Sequence, residues 1–149
     1  MNKCLVILCC IILSGCSAPK YFVQPVHKKM TNTCVIENPE VTVSGFKYLL
    51  IGKIREKGIS VKDVNKVTSW CQFRVDYTAR RSWDIGGTFL SFAVVNVFQE
   101  SGNQRVGYIT LKVSNNFRFD KYKSVASKME PLLDNLLMYQ EKNKFNLDQ

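Results

Sequence analysis

The sequence predicts an α+β fold: a two-layer sandwich with two helices on one face of a mostly antiparallel sheet of four or five strands, in the order β-α-β-β-β-α. Three observations predict it. Residues 71–80 alternate, with Cys71, Phe73, Val75, Tyr77 and Ala79 set against Gln72, Arg74, Asp76, Thr78 and Arg80, the pattern of a half-buried strand. Two other segments repeat apolar residues at three-to-four spacing, as amphipathic helices do. Asp84-Ile85-Gly86-Gly87 and Ser101-Gly102-Asn103 are turn signals that cut the chain between them into hairpin-sized strands.

Taken in order, Cys34-Val35-Ile36-Glu37 reads as a short first strand closed by Asn38-Pro39. A helix follows from about Val43 to Lys57, with Val43, Phe46, Leu49, Leu50 and Ile54 on one stripe and Gly58 at its C-terminal cap. Residues 59–64 have a period near two and form the second strand. The alternating segment 71–80 is the third. Residues 88–99, TFLSFAVVNVFQ, are apolar on both faces and therefore central, and 105–113 form the fifth strand. Ser114 to Lys123 is a polar connection. The last helix starts between Ser124 and Ser127, carries Val125, Met129, Leu132, Leu133, Leu136 and Leu137 on one stripe, and has Pro131 as a possible bend. Phe46, Leu50, Phe92, Leu132 and Leu136 are expected to fill the space between sheet and helices.

At 149 residues, 46% hydrophobic and 22% charged, the chain is one domain's worth of globular sequence and not a disordered one. No apolar stretch reaches the ~18 residues that a spanning helix needs, which excludes a multi-pass membrane protein. The net charge is +9, with a single histidine, His27.

Residues 1–15 have the form of a secretory signal: Lys3, an apolar run from Leu5 to Leu13, then Ser14 and Gly15. Leu13-Ser14-Gly15-Cys16 resembles the lipobox of bacterial lipoproteins, whose small residues enter a peptidase cleft and whose cysteine thiol takes the diacylglyceryl group. The alternative is an ordinary signal cleaved elsewhere. In enterobacterial lipoproteins an Asp after the acylated Cys implies inner-membrane retention. Ser17 stands there, so the resemblance implies an outer-membrane protein, lipid-anchored through Cys16 and facing the periplasm. Two or three acyl chains hold a protein stably where one does not.

The domain organisation expected is a signal peptide at 1–15, an acylated Cys16 and flexible tether over 16–32, a single α+β domain over 33–140, and a frayed tail over 141–149. The tether holds Pro19, Pro25 and the basic cluster His27-Lys28-Lys29, which is either a solvated spacer or a patch resting on anionic headgroups. Cys4, Cys9 and Cys10 leave with the signal and Cys16 carries lipid, so Cys34 and Cys71 remain. Two thiols in an oxidising compartment usually form a disulfide; free thiols and a metal site are the alternatives. The bridge would enclose residues 35–70, worth about 4 kcal/mol in the chain-entropy model.

Catalytic constellations are sparse. His27 lies in the tether, Asp63, Asp76 and Asp84 fall on different elements, and there is no nucleophile elbow or phosphate-binding loop. No catalytic residue, cofactor or metal is assigned. The most unusual cluster is Arg80-Arg81-Ser82-Trp83-Asp84 at a strand end, because Trp and Arg are frequent at binding hot spots. With Arg74, Asp76 and Thr78 it would form a contact row (Arg74, Asp76, Arg80 and Trp83) on the sheet face away from the helices. The competing reading is a solvated face with Trp83 closing the core edge.

The stretches Cys34 to Pro39, Gly58 to Val61, Cys71 with Tyr77-Thr78-Ala79 and Trp83-Asp84, and Lys128 to Leu133 resemble, in that order, the Shewanella-type (Sbal) family of small Gram-negative lipoproteins. That family supplies no catalytic residues, and its glycine-rich link before the last helix is replaced by Ser114-Asn115-Asn116. The expectation is a non-enzymatic, outer-membrane-anchored accessory or binding module whose partner is an envelope protein, a cell-wall polymer or anionic lipid, and not nucleic acid. The alternative is a small-ligand or lipid-binding, transport-auxiliary lipoprotein, which requires an apolar pocket above ~300 Å³.

Overall fold

The computed structural model describes residues 19–114 and 119–142. The signal at 1–15, Cys16, Ser17, Asn115-Asn116 and the end of the expected tail at 143–149 lie outside the described residues.

The elements are β1 (Lys20–Gln24), β2 (Thr33–Ile36), α1 (Phe46–Glu56), β3 (Val61–Val64), β4 (Phe73–Asp84), β5 (Gly87–Gln99), β6 (Gln104–Lys112), a 3₁₀ turn (Phe119–Tyr122), α2 (Val125–Leu136) and α3 (Met138–Lys142). The α+β class is as expected, but the sheet is mixed and has six strands in the order β1-β6-β5-β4-β2-β3. β4, β5 and β6 form the expected antiparallel meander, and β1 adds to it antiparallel beside β6. β2 instead lies parallel to both β3 and β4. The cause is the connection: β2 and β3 are joined through α1, and a crossover helix returns the chain to start its next strand in the same direction.

The second correction concerns the tether. Residues 20–24 are an edge strand, bracketed by Pro19 and Pro25, where proline is tolerated because an edge leaves N–H groups unpaired. The segment after it is packed. Val26 is fully buried, its N–H donates to Leu136 O at 2.9 Å, and Gly107 has no side chain where Val26 and Leu136 approach β6. The buried Gln140 side chain accepts from Met30 N at 2.9 Å and donates to Lys28 O at 2.9 Å. The chain between Cys16 and the sheet is therefore residues 17–19, not 17–32.

Both helices lie on one face of the sheet. α1 buries Phe46, Leu50, Ile51 and Ile54; α2 buries Met129, Leu132, Leu133 and Leu136. They pack on Phe73, Val75, Tyr77 and Ala79 of β4 and Ala93, Val95 and Val97 of β5. Ser124 caps α2 by accepting from Ser127 N at 3.1 Å, and the helix runs through Pro131 to break at Leu137. Cys34 and Cys71 form a disulfide with Cα atoms 5.5 Å apart.

Candidate functional site

Helices cover one sheet face, so the other is built by strand alternation alone. Register places Arg74, Asp76, Thr78 and Arg80 of β4 opposite Phe98, Asn96, Val94 and Phe92 of β5, which in turn face Arg105, Tyr108, Thr110 and Lys112 of β6. Lys20, Phe22 and Gln24 of β1 complete the row. Phe92 is therefore on this face and not in the core where it was expected. The two-sided apolarity of β5 does not mean burial on both sides. Cations lie over its rings and the neighbouring one instead: Arg74 over Phe98 at 4.5 Å, Arg80 toward Phe92 at 6.0 Å and Arg105 over Tyr108 at 4.3 Å. Phe22 stacks on Tyr108 at 5.3 Å. The sequence reading missed these rings as partners of the basic row; the signal was the apolar residues at the alternate positions of 88–99.

Arg74 and Arg80 differ in what holds them. Arg74 Nε lies 3.1 Å from Asp76 Oδ2, its Nη2 donates to Asn103 Oδ1 at 3.1 Å, and its Nη1 is 3.1 Å from Glu100 Oε1, an ion-pair distance without hydrogen-bond alignment. Arg74 and Asp76 are thus neutralised by each other and by Glu100. Arg80 is exposed, and no carboxylate among the described residues pairs with it. Charge reversal at Arg74 would break a network, so it cannot serve as a silent surface change.

Trp83 stands apart from the row. The pairing shifts between Arg80 and Arg81, where Ser91 of β5 is the extra residue, so the cross-strand register of the row ends at Arg80. Trp83 is 72% exposed and does not close the core edge. Arg81 is exposed as well.

Beyond Trp83, Asp84 turns back onto the 3₁₀ turn, where its carboxylate accepts from Lys121 Nζ and Tyr122 OH and from Gly86 N at 3.1 Å. These donors, Lys121 first, hold the Asp84 carboxyl below the ordinary carboxylate value, while Asp84 raises Lys121. Asp63 is paired with Lys47 at 2.8 Å, and Lys47 also binds Glu37, so the Lys47 ammonium is held well above its usual value. Each of the three carboxylates weighed from sequence therefore has a cation beside it. Among the described residues no three of His, Cys, Asp or Glu converge to hold a metal. His27 lies against Tyr139, with ring centroids 4.3 Å apart.

Between sheet and helices, among Leu50, Val75, Val95 and Leu133, the packing leaves a void of about 10 Å³, too small for a ligand. A cavity of about 230 Å³ opens instead beside α2, floored by Tyr21, Leu111, Val113 and Leu132 and rimmed by Lys123 and Lys128. Lys128 Nζ donates to Leu90 O at 3.2 Å and to Lys121 O, and burial lowers its pKa. A shallower cleft of 330 Å³ near Glu37, Lys47 and Tyr48 is as polar as it is apolar.

No family model matches the chain, and no curated protein does. Solved structures share its fold. A variant of the PelC dodecamer from Paraburkholderia phytofirmans has a TM-score of 0.54 at 12% identity, covering 83% of this chain and 98% of that one. A second crystal form of the PelC dodecamer from the same organism gives 0.53 at 13% identity, covering 83% and 97%. A minor lipoprotein from Acinetobacter baumannii aligns over 78% of this chain and 88% of its own at 11% identity, with a TM-score of 0.29. At these identities the likeness to PelC is one of fold. Among the described residues no helix is long and apolar enough to cross a membrane.

Proposed function

We propose that this chain is a non-enzymatic, lipid-anchored accessory module of the periplasmic side of the outer membrane, of the Shewanella-type (Sbal) lipoprotein kind, that binds an acidic envelope component on its uncovered sheet face. The observation that carries the reading is Arg80: an exposed guanidinium without a carboxylate partner among the described residues, next to a half-exposed aromatic row and in line with Arg105 and Lys112. The two acids of that neighbourhood, Asp76 and Glu100, are already matched by Arg74, which leaves the face net positive. Exposed, unmatched cations contribute little to folding and set partner choice and association rate. The lipobox-like run ending at Cys16 and the disulfide support the address.

The test is photo-crosslinking in cells from Thr78, in the middle of the face, with Tyr48 on the outside of α1 as the control position. An adduct from Thr78 that is absent from Tyr48 and lost in Arg80→Glu with unchanged melting supports the reading. Equal labelling from both positions, or an adduct indifferent to Arg80→Glu, contradicts it.

A second reading, a small-ligand or lipid-binding module, is favoured by one observation: the 230 Å³ cavity with its apolar floor and lysine rim. It is smaller than the ~300 Å³ at which drug-sized ligand sites begin. Binding of a medium-chain carboxylate that is lost in Leu132→Trp would move the assignment to that cavity.

A further inference from the structure

Strand directions sort the molecule into two ends. β1 starts, β4 and β6 end, and β5 starts at one of them, so Lys20, Lys112 and the β4–β5 hairpin share it. The 3₁₀ turn packs there too: Tyr122 lies against Gly86, and Lys121 and Tyr122 hold Asp84. This end carries the three most exposed large apolar side chains of the described residues: Ile85 at 97%, Phe119 at 95% and Trp83 at 72%. Ile85 sits in the two-residue turn between Asp84 and its partner Gly87, with its side chain almost wholly in solvent. The acid of that tip is folded back into the Lys121 pair, so what projects is apolar.

The charges at this end are arranged at a cost. Lys20 and Lys112 are directly opposite each other on antiparallel β1 and β6, a like-charge pair that repels in water. Lys123 is exposed nearby, sharing the rim of one cavity with Pro19. The chain also leaves the sheet here: Cys16 is three residues before Pro19, which at full extension is about 11 Å.

We infer that this end is a membrane-docking surface for an anionic bilayer, with Trp83, Ile85 and Phe119 entering the interface and Lys20, Lys112 and Lys123 meeting headgroup phosphates. The inference rests on the anchor reading for where Cys16 is held. Tryptophan is favoured at the headgroup level, and a lipid chain needs a second signal for stable attachment. Anionic headgroups also relieve the Lys20–Lys112 repulsion. The basic cluster at 27–29 is ruled out as the headgroup contact in this orientation, because Lys28 bonds Gln99 at the opposite end.

The two tryptophans give the test, since Trp70 lies at the opposite end, just before β4 begins. Full-length acylated protein is reconstituted in vesicles of phosphatidylethanolamine and phosphatidylglycerol containing lipid brominated in the acyl chain. Trp70→Phe reports Trp83 alone, and Trp83→Phe reports Trp70 alone. Trp83 should be blue-shifted and quenched several-fold more than Trp70. Ile85→Asp with Phe119→Asp should bring Trp83 quenching down to the Trp70 level. Lys20→Glu with Lys112→Glu keeps a like-charge pair but reverses its sign, and should weaken the quenching about 10-fold in anionic vesicles only. Equal quenching of the two indoles, or quenching of Trp83 indifferent to the Asp substitutions, overturns the inference. Incorporation of labelled palmitate at Cys16 is read separately. Without it the anchor reading fails, and the same protein added to vesicles from outside still reads the docking end: a Trp83-selective signal upholds it and its absence refutes it.

Discussion

The two ends of the sheet are built from the same strands and differ in how they are closed. At the end where β2, β3 and β4 begin, the Cys34–Cys71 bridge ties β2 to the chain entering β4, and Gln140 fastens residues 26–30 to the helices. At the other end, the β4–β5 hairpin and the 3₁₀ turn are held to each other through Asp84, Lys121 and Tyr122, and their apolar side chains point outward. The first end uses its polar and apolar groups alike on itself; the second pairs its polar groups and leaves its apolar ones exposed. The lesson is that an unmet side chain next to a satisfied one is informative. Asp84 could have been solvated and Ile85 tucked in, and the structure shows the reverse.

Substitutions should therefore cost folding stability at the first end and attachment at the second. The largest effect expected is Cys34→Ser with Cys71→Ser, which should lower unfolding stability by about 4 kcal/mol, read from denaturant midpoints with and without reductant. Next is Gln140→Leu, which strands Met30 N–H and Lys28 C=O and should cost about 1–3 kcal/mol. A loss no larger than that of an exposed glutamine would mean that residues 26–30 are held by packing on Val26 alone.

At the second end the pH response separates the two. The folded Asp84 carboxyl lies below its ordinary value, so its contribution is present above that value and is lost as pH falls through the range beneath it. Amide exchange at Gly86 and Tyr122 should accelerate as pH drops below about 4, relative to the intrinsic rate, while Val26 and Val35 stay protected. Asp84→Asn should remove that pH dependence. The smallest stability effect belongs to Trp83→Ala, expected within about 0.5 kcal/mol of the parent because its indole is mostly in water. A loss of several kcal/mol would place Trp83 in the core after all.

The meander from Phe73 to Lys112 was legible because its strands alternate and its turns carry glycine and asparagine, so local signals agree with the fold. The helix stripes were legible for the same reason, down to Gly58, whose φ of +75° suits the cap of α1. The parallel placement of β2 was not read, although the helix between β2 and β3 already demanded it. β1 was hidden by its flanking prolines, which mark an edge strand as readily as a tether. The contact row was half legible: alternation put Arg74, Asp76 and Arg80 on one face, but nothing local reported the bulge after Arg80 or the ion pairs that occupy Arg74.

The most direct measurement of the account is in-cell photo-crosslinking from three positions along the molecule: Ile85 at the hairpin tip, Thr78 in the middle of the uncovered face, and Ser101 in the opposite turn. The account predicts a lipid adduct from Ile85, a macromolecular adduct from Thr78 that depends on Arg80, and neither from Ser101. Lipid adducts from Ser101 with none from Ile85 would turn the molecule over and contradict it.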